Sequence, residues 1–195
     1  MPAYTKPVGL QPVQLIGGIP YAGATREYTI TSGYATALRP GDLVAVASGV
    51  IAKVTATTTV PTGGVIGVFI GCSFTDPVLG KTFRTNWTAS TVAADAVAIV
   101  AEDPKLVMRA VYVSGTTVVA GQTAAAVIGK NVALVQNTTS TGTSDVAVTG
   151  AATTNTLPMR VLDVDRESAD ASGNFTAVFV TYNGIMHAYN NATGT

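Results

Sequence analysis

From Glu27 onward, apolar and polar positions alternate in short runs closed by turn residues. EYTITSG (27–33) alternates with period two, the spacing that puts one side of a pleated strand on a core. RPGDLVAVASGVIAKVTA (39–56) places a Pro-Gly-Asp turn before a strand near 43–47, then a Ser48-Gly49 turn and a return strand near 50–56. That pattern predicts a β-hairpin. After Thr57–Thr59 and a Pro61-Thr62-Gly63-Gly64 turn, VIGVFIGCSF (65–74) predicts a strand whose Gly67 and Gly71 mark a bulge or a close backbone approach. DAVAIVAEDP (95–104) reads as a strand stopped by Asp103-Pro104, and KLVMRAVYV (105–113) as its successor. Further strands are expected near 131–136 and in SDVAVTG (144–150), LPMRVLDVD (157–165) and NFTAVFVTYN (174–183).

These nine or ten short strands predict a mainly β, antiparallel β-barrel or β-sandwich. The expected core is Val44, Val46, Ile51, Val68, Ile70, Cys72, Val97, Ile99, Val178 and Val180. GQTAAAVIGK (121–130) predicts one or two helical turns, and 75–94 a loop anchored by Phe83 and Trp87. Residues 137–156 read as a polar low-complexity loop or insertion. The tail after 183 is expected at the surface.

Residues 1–25 break the pattern. Pro2, Pro7, Pro12 and Pro20 exclude a helix or a central strand, yet Tyr4, Leu10, Ile16 and Tyr21 are apolar enough to require cover. Two readings follow: an extended N-terminal arm whose four apolar residues contact a capsid or neighbouring subunit, or a disordered tail. On the arm reading, deleting residues 1–22 leaves the remaining single β-domain (26–195) folded.

Composition narrows the function. Charged residues are 11% of the 195, with 11 acids balancing 11 bases, far below the usual quarter or so. Phosphate neutralisation needs clustered Lys and Arg, so no nucleic-acid partner is expected. Low charge suits a surface partly hidden in an assembly. No signal peptide is visible, and the longest apolar runs fall short of the ~20 residues that cross a bilayer, so no membrane partner is expected and synthesis in a cytoplasm is. The four Asn-x-Thr sequons (Asn86, Asn137, Asn174, Asn191) read as chance in a Thr-rich chain.

Candidate chemistry is thin. Gly80-Lys81-Thr82 lacks the glycine of a phosphate loop at position 75 and the helix that must follow. Cys72, the single cysteine, needs a basic partner to become a nucleophile, and the single histidine, His187, lies far along the chain and is expected at a surface or interface. Asp163-x-Asp165-x-Glu167 opens like a calcium loop, but Ser168 stands where glycine is required and Asn174 where a bidentate Glu is. Asp95, Glu102, Asp103, Asp163 and Asp165 are strand-end carboxylates without a sugar-stacking cleft. The residues therefore indicate no catalytic residue, no cofactor and no metal.

The block GVFIGCSFTDPVLGKTFRTNWTASTVAADAVAIVAEDPKLVMRA (67–110) resembles the decoration, or cement, proteins of tailed bacteriophages, virion proteins encoded near the major capsid gene. The likeness rests on Gly67-Val-Phe-x-Gly71-Cys72 with its Thr-Asp-Pro turn, on Trp87 with Ala93-x-Asp95-Ala96, and on Glu102-Asp103-Pro104. The hairpin at 40–53 and the strand at 178–189 fit more loosely. The resemblance implies a structural, non-enzymatic protein on the outer surface of the capsid, made in the host bacterial cytoplasm. It would bridge major capsid protein subunits as a homo-oligomer, a trimer first and a dimer second. A host-binding, glycan-recognising module is the alternative, and a hydrolase on a β scaffold the third.

Overall fold

The computed structural model describes residues 4–55, 62–114, 117–118, 123–136 and 144–191. Among them are fifteen strands, one α-helical turn, α1 (Ala124–Val127), and three 3-10 turns at Arg166–Ser168, Gly184–Met186 and Ala188–Asn190. The Thr57–Thr59 stretch, Asn137 and the 137–143 part of the expected insertion lie outside the described residues.

One sheet has seven strands. β1 (Gln11–Leu15), β2 (Ile19–Pro20), β9 (Leu106–Val111), β12 (Asn131–Gln136), β13 (Val146–Ala152), β14 (Met159–Val164) and β15 (Ala177–Tyr182) run in the order β13-β12-β14-β15-β9-β1-β2. The other holds β3 (Arg26–Thr29), β4 (Leu43–Ala47), β5 (Val50–Lys53), β6 (Gly67–Asp76) and β8 (Val97–Ala101) in the order β3-β8-β6-β4-β5, with β7 (Gly80–Arg84) paired to β6. A two-stranded ribbon joins β10 (Val113–Ser114) to β11 (Thr117–Val118). Named strand pairs are antiparallel throughout. The seven-stranded sheet curls until Tyr112, just past β9, forms an isolated bridge with Val148 of β13, but neither sheet closes into a barrel.

All ten strands expected from the pattern exist. Five more do not announce themselves: β1 and β2 contain prolines, β7 lies in the supposed loop 75–94, and β10 and β11 are two residues each. Residues 146–152, read both as the strand SDVAVTG and as part of the 137–156 insertion, are strand β13, buried at Val146, Ala147 and Val148.

Two large apolar clusters form. The first lies against the seven-stranded sheet and includes Leu10, Leu43, Val68, Leu106, Met108, Val161, Val178 and Val180. The second lies on the opposite side of the six-stranded sheet and includes Ile30, Val44, Ile51, Phe69, Cys72, Phe74 and Trp87. β6 serves both, because a register shift between Phe69 and Gly71 inserts an extra residue. The bulge keeps Phe69, Cys72 and Phe74 on one face, which strict alternation from Phe69 would not. Gly67 is required for a different reason: a Cβ there would stand 2.1 Å from the Ala101 carbonyl oxygen. On β8 the expected face is reversed. Val97 and Ile99 are only half-buried, while Ala96, Ala98 and Val100 face the second core. Small side chains there leave room for Phe69 and Trp87, the two largest fully buried groups. Trp87 is the anchor expected of it, whereas Phe83 is 59% exposed.

The Arg39-Pro-Gly-Asp42 turn joins the two halves. Gly41 has φ +92°, the left-handed value that the third residue of such a turn needs. Its carbonyl accepts from Leu10 N at 3.0 Å and its N–H donates to Phe69 O at 2.9 Å. Below it Asp42, with no exposed surface, accepts from Lys53 Nζ (2.6 Å), Ser144 Oγ (2.6 Å) and Arg39 N (2.8 Å). Ser144 lies two residues before β13, so this one carboxylate ties the β4–β5 hairpin to the seven-stranded sheet.

Candidate functional site

The N-terminal segment belongs to the domain. β1 pairs with β9 from Gln11↔Arg109 to Leu15↔Leu106, which corrects the expectation of an arm lying free of its own sheet. Pro12 is tolerated because a register shift falls between Pro12 and Gln14. Leu10 has no exposed surface and sits in the first core, so it is not available to a capsid or neighbouring subunit. Tyr4 is half-buried, its ring 5.4 Å from the Arg109 guanidinium carbon. Tyr21 is half-buried against the same core, with its hydroxyl donating to Ala24 O. Ile16 is exposed, 47%, at the turn between β1 and β2, where its N–H is held by Lys105 O at 2.8 Å. Val13 (42%) and Ile19 (59%) are exposed on the same hairpin.

Across the outer face of the seven-stranded sheet, Gln11, Arg109, Phe179 and Asp163 are successive cross-strand partners. Directly opposed residues share a face, so four strands contribute one row. Together with Val13, Asp165, Arg166 and Glu167, the last three of these residues line an open groove of about 430 Å³. Arg109 is fixed at its centre by Gln11 Oε1 (2.9 and 3.2 Å) and Asp165 (3.4 Å). Asp165 also accepts from Glu167 N at 3.1 Å, capping the short turn Arg166–Ser168. Asp163 stands 3.6 Å from Arg166. Asp163 and Asp165, which open the calcium-loop-like stretch, thus pair with arginines, Asp165 also capping a turn, and among the described residues no three His, Cys, Asp or Glu side chains gather as ligands.

A second exposed apolar feature is the β6–β7 hairpin. Val78 (87%) and Leu79 (69%) occupy its turn and Phe83 its outer strand. Asp76 Oδ1 accepts from Val78 N (2.9 Å) and Leu79 N (3.1 Å), and Oδ2 from Arg84 Nη2 (3.2 Å). Those backbone donors hold the Asp76 carboxyl below its ordinary pKa. At the base, Thr75 donates twice to Asp95 (2.6 and 3.0 Å), which lies 4.0 Å from Lys81. Gly80-Lys81-Thr82 is therefore hairpin, and no helix follows it.

The remaining candidates are structural in placement. Cys72 is buried in the second core with its thiol pushed up to about 11 by desolvation, and Sγ contacts Asn86 O at 3.5 Å. His187, expected at a surface, has no exposed surface. Its Nδ1 accepts from Tyr189 N (3.2 Å), leaving Nε2–H to donate to Glu102 O (2.7 Å). The tail around it enters the core: Val65 N donates to Met186 O and Ala188 N to Val65 O, both at 2.7 Å. Tyr189 and Tyr28 hydroxyls donate to the Glu102 carboxylate, which also pairs with Arg26 (3.2 Å). Asp103 caps its own turn by accepting from Lys105 N at 2.7 Å.

His187 makes a pH prediction. Burial favours the neutral ring, so in the fold it titrates below the ordinary 6.5. The unfolded chain binds the proton first, and stability then rises with pH. The His187 contribution is complete above about pH 6.5 and is lost as pH falls through the depressed folded value, with a slope of up to about 1.4 kcal/mol per pH unit. Urea titrations of His187→Gln should show a lower stability at pH 7 and a flatter decline as pH falls below about 6.5. An unchanged acid slope would contradict this placement.

No protein family, no curated protein and no solved structure matches this chain.

Proposed function

We propose that this chain is a capsid decoration protein of a tailed phage, seated on the outer surface of the shell and bridging neighbouring major capsid protein subunits without catalysing a reaction. The observation that carries the reading is the β1–β2 hairpin. Ile16 and Ile19 stand 47 and 59% exposed at a turn whose Ile16 N–H is fixed to Lys105 O. Covering an apolar side chain of this size contributes about 1.5–3 kcal/mol, and a turn already held in place loses little entropy on docking. The charge fraction of 11% and the resemblance of residues 67–110 to decoration proteins point the same way. Of the four residues singled out from the sequence, Tyr4, Leu10, Ile16 and Tyr21, this prong keeps Ile16 alone and adds Ile19.

The test uses shells assembled from the major capsid protein of the genome that encodes this chain. Added wild-type protein should sediment with them at a fixed copy number. The double variant Ile16→Asp, Ile19→Asp should keep its melting temperature and bind at least tenfold more weakly, roughly 1.4 kcal/mol. Wild-type protein that stays in the supernatant at saturating concentration would sink the proposal, and undiminished binding by the variant would remove the prong from it.

A further inference from the structure

The β6–β7 hairpin carries exposed apolar side chains and a lysine, the outer groove of the seven-stranded sheet apolar and acidic ones, and we infer that the hairpin of one copy docks in the groove of a second copy. The hairpin offers Val78 and Leu79, 87 and 69% exposed, with the Lys81 side chain 68% exposed two residues on. The groove is lined by apolar Val13 and Phe179 and by Asp163, Asp165 and Glu167 beside Arg109 and Arg166. Its own arginines are engaged by Asp165 and Asp163. Glu167, exposed, has no cation against it among the described residues. A cavity of about 430 Å³ has room for several side chains, within the range in which concave sites bind.

The hairpin is also held ready. Asp76 spends three hydrogen bonds, two on the N–H groups of Val78 and Leu79 and one on Arg84, and Asp95 fixes the base through Thr75. Polar groups are thereby used to present apolar side chains to water in one conformation. Preorganisation of that kind lowers the entropy lost when a partner covers the surface. Lys81 reaches Asp95 only at 4.0 Å, a spacing that contributes little at an exposed site, so its ammonium is available to Glu167 of a partner.

Knob and groove lie on different sheets of one copy, so copies join either by exchanging hairpins about a two-fold axis or by passing them head to tail from one neighbour to the next. Head-to-tail contacts close into a ring when the rotation allows and otherwise build filaments. This inference concerns the contact between copies and stands whether or not a capsid is the partner.

Sedimentation equilibrium of the full chain at about 100 μM, where a ~10 μM contact is mostly formed, tests it. Wild type should be a closed oligomer. Leu79→Asp, at a site too exposed to affect folding, should keep the native circular dichroism and melting temperature and weaken association about 30-fold. Lys81→Glu and Glu167→Lys should each weaken it several-fold, and the two together should restore it, because the pair is then reversed rather than broken. A monomeric wild type overturns the inference, as does an oligomer indifferent to Leu79→Asp or a charge reversal without rescue. If Leu79→Asp abolishes shell binding while the wild type is monomeric, the hairpin contacts the shell instead, and the decoration reading survives without this contact.

Discussion

Deletion of residues 1–22 is expected to unfold the protein, or to lower its stability by at least about 4 kcal/mol. Leu10 is fully buried in the first core, and truncation of a buried Leu alone costs about 2–5 kcal/mol. The deletion also removes β1, leaving one side of β9 without its ladder partner between Arg109 and Leu106. Gly41 O loses its Leu10 N–H donor, and Arg109 loses Gln11. Buried backbone groups left unpaired cost about 1–3 kcal/mol each. Domains of this size are stable by only about 5–15 kcal/mol, so the sum reaches a large share of the total. Leu10→Ala isolates the core term in a chain of full length. A truncated protein that melts cooperatively within about 3 °C of the wild type would show that the segment is an appendage after all.

The second large effect is expected at Lys53. Replacing it with Met removes the ammonium from Asp42, whose carboxylate has no exposed surface and keeps, among the described residues, Ser144 Oγ and Arg39 N as donors. Leaving one charge of a buried pair without its partner costs about 3–5 kcal/mol. Asp42 holds the turn that accepts Leu10 N and reaches Ser144 before β13, so loosening spreads to both sheets. The double variant Lys53→Met, Asp42→Asn should recover part of the loss, because no buried charge then remains, and a double-mutant cycle reads the coupling directly. Guanidinium titrations showing Lys53→Met within about 1 kcal/mol of the wild type would mean that water reaches the carboxylate.

Much of the fold was legible because its signals are local. Period-two alternation and the Ser48-Gly49 and Pro40-Gly41 turns fix where strands begin and reverse, and all ten strands so marked are present. Gly67 and Gly71 announced a crowded strand, and the bulge and the close approach to Ala101 are what they provide. β1 escaped because Pro12 argues against a central strand, yet the register shift beside it carries the proline without breaking the pairing. β7 escaped because its alternation is polar, as an exposed strand's must be. The groove row escaped entirely, since Gln11, Arg109, Phe179 and Asp163 come from four distant parts of the chain.

The sequence by itself determined a mainly β, antiparallel chain, the turns that divide it, and a surface poor in charge. Only the tertiary structure decided which face of β8 is inside, that Leu10 is core, that Asp42 meets Lys53 and Ser144, and that His187 is buried against Glu102. The division has one physical cause. Backbone conformation follows from neighbours a few residues away, through side-chain sterics and the two-residue pleat. Burial and charge pairing in a sheet protein follow from which strands adjoin, and here those adjoining strands are separated by up to about a hundred residues, as Gln11 and Arg109 are.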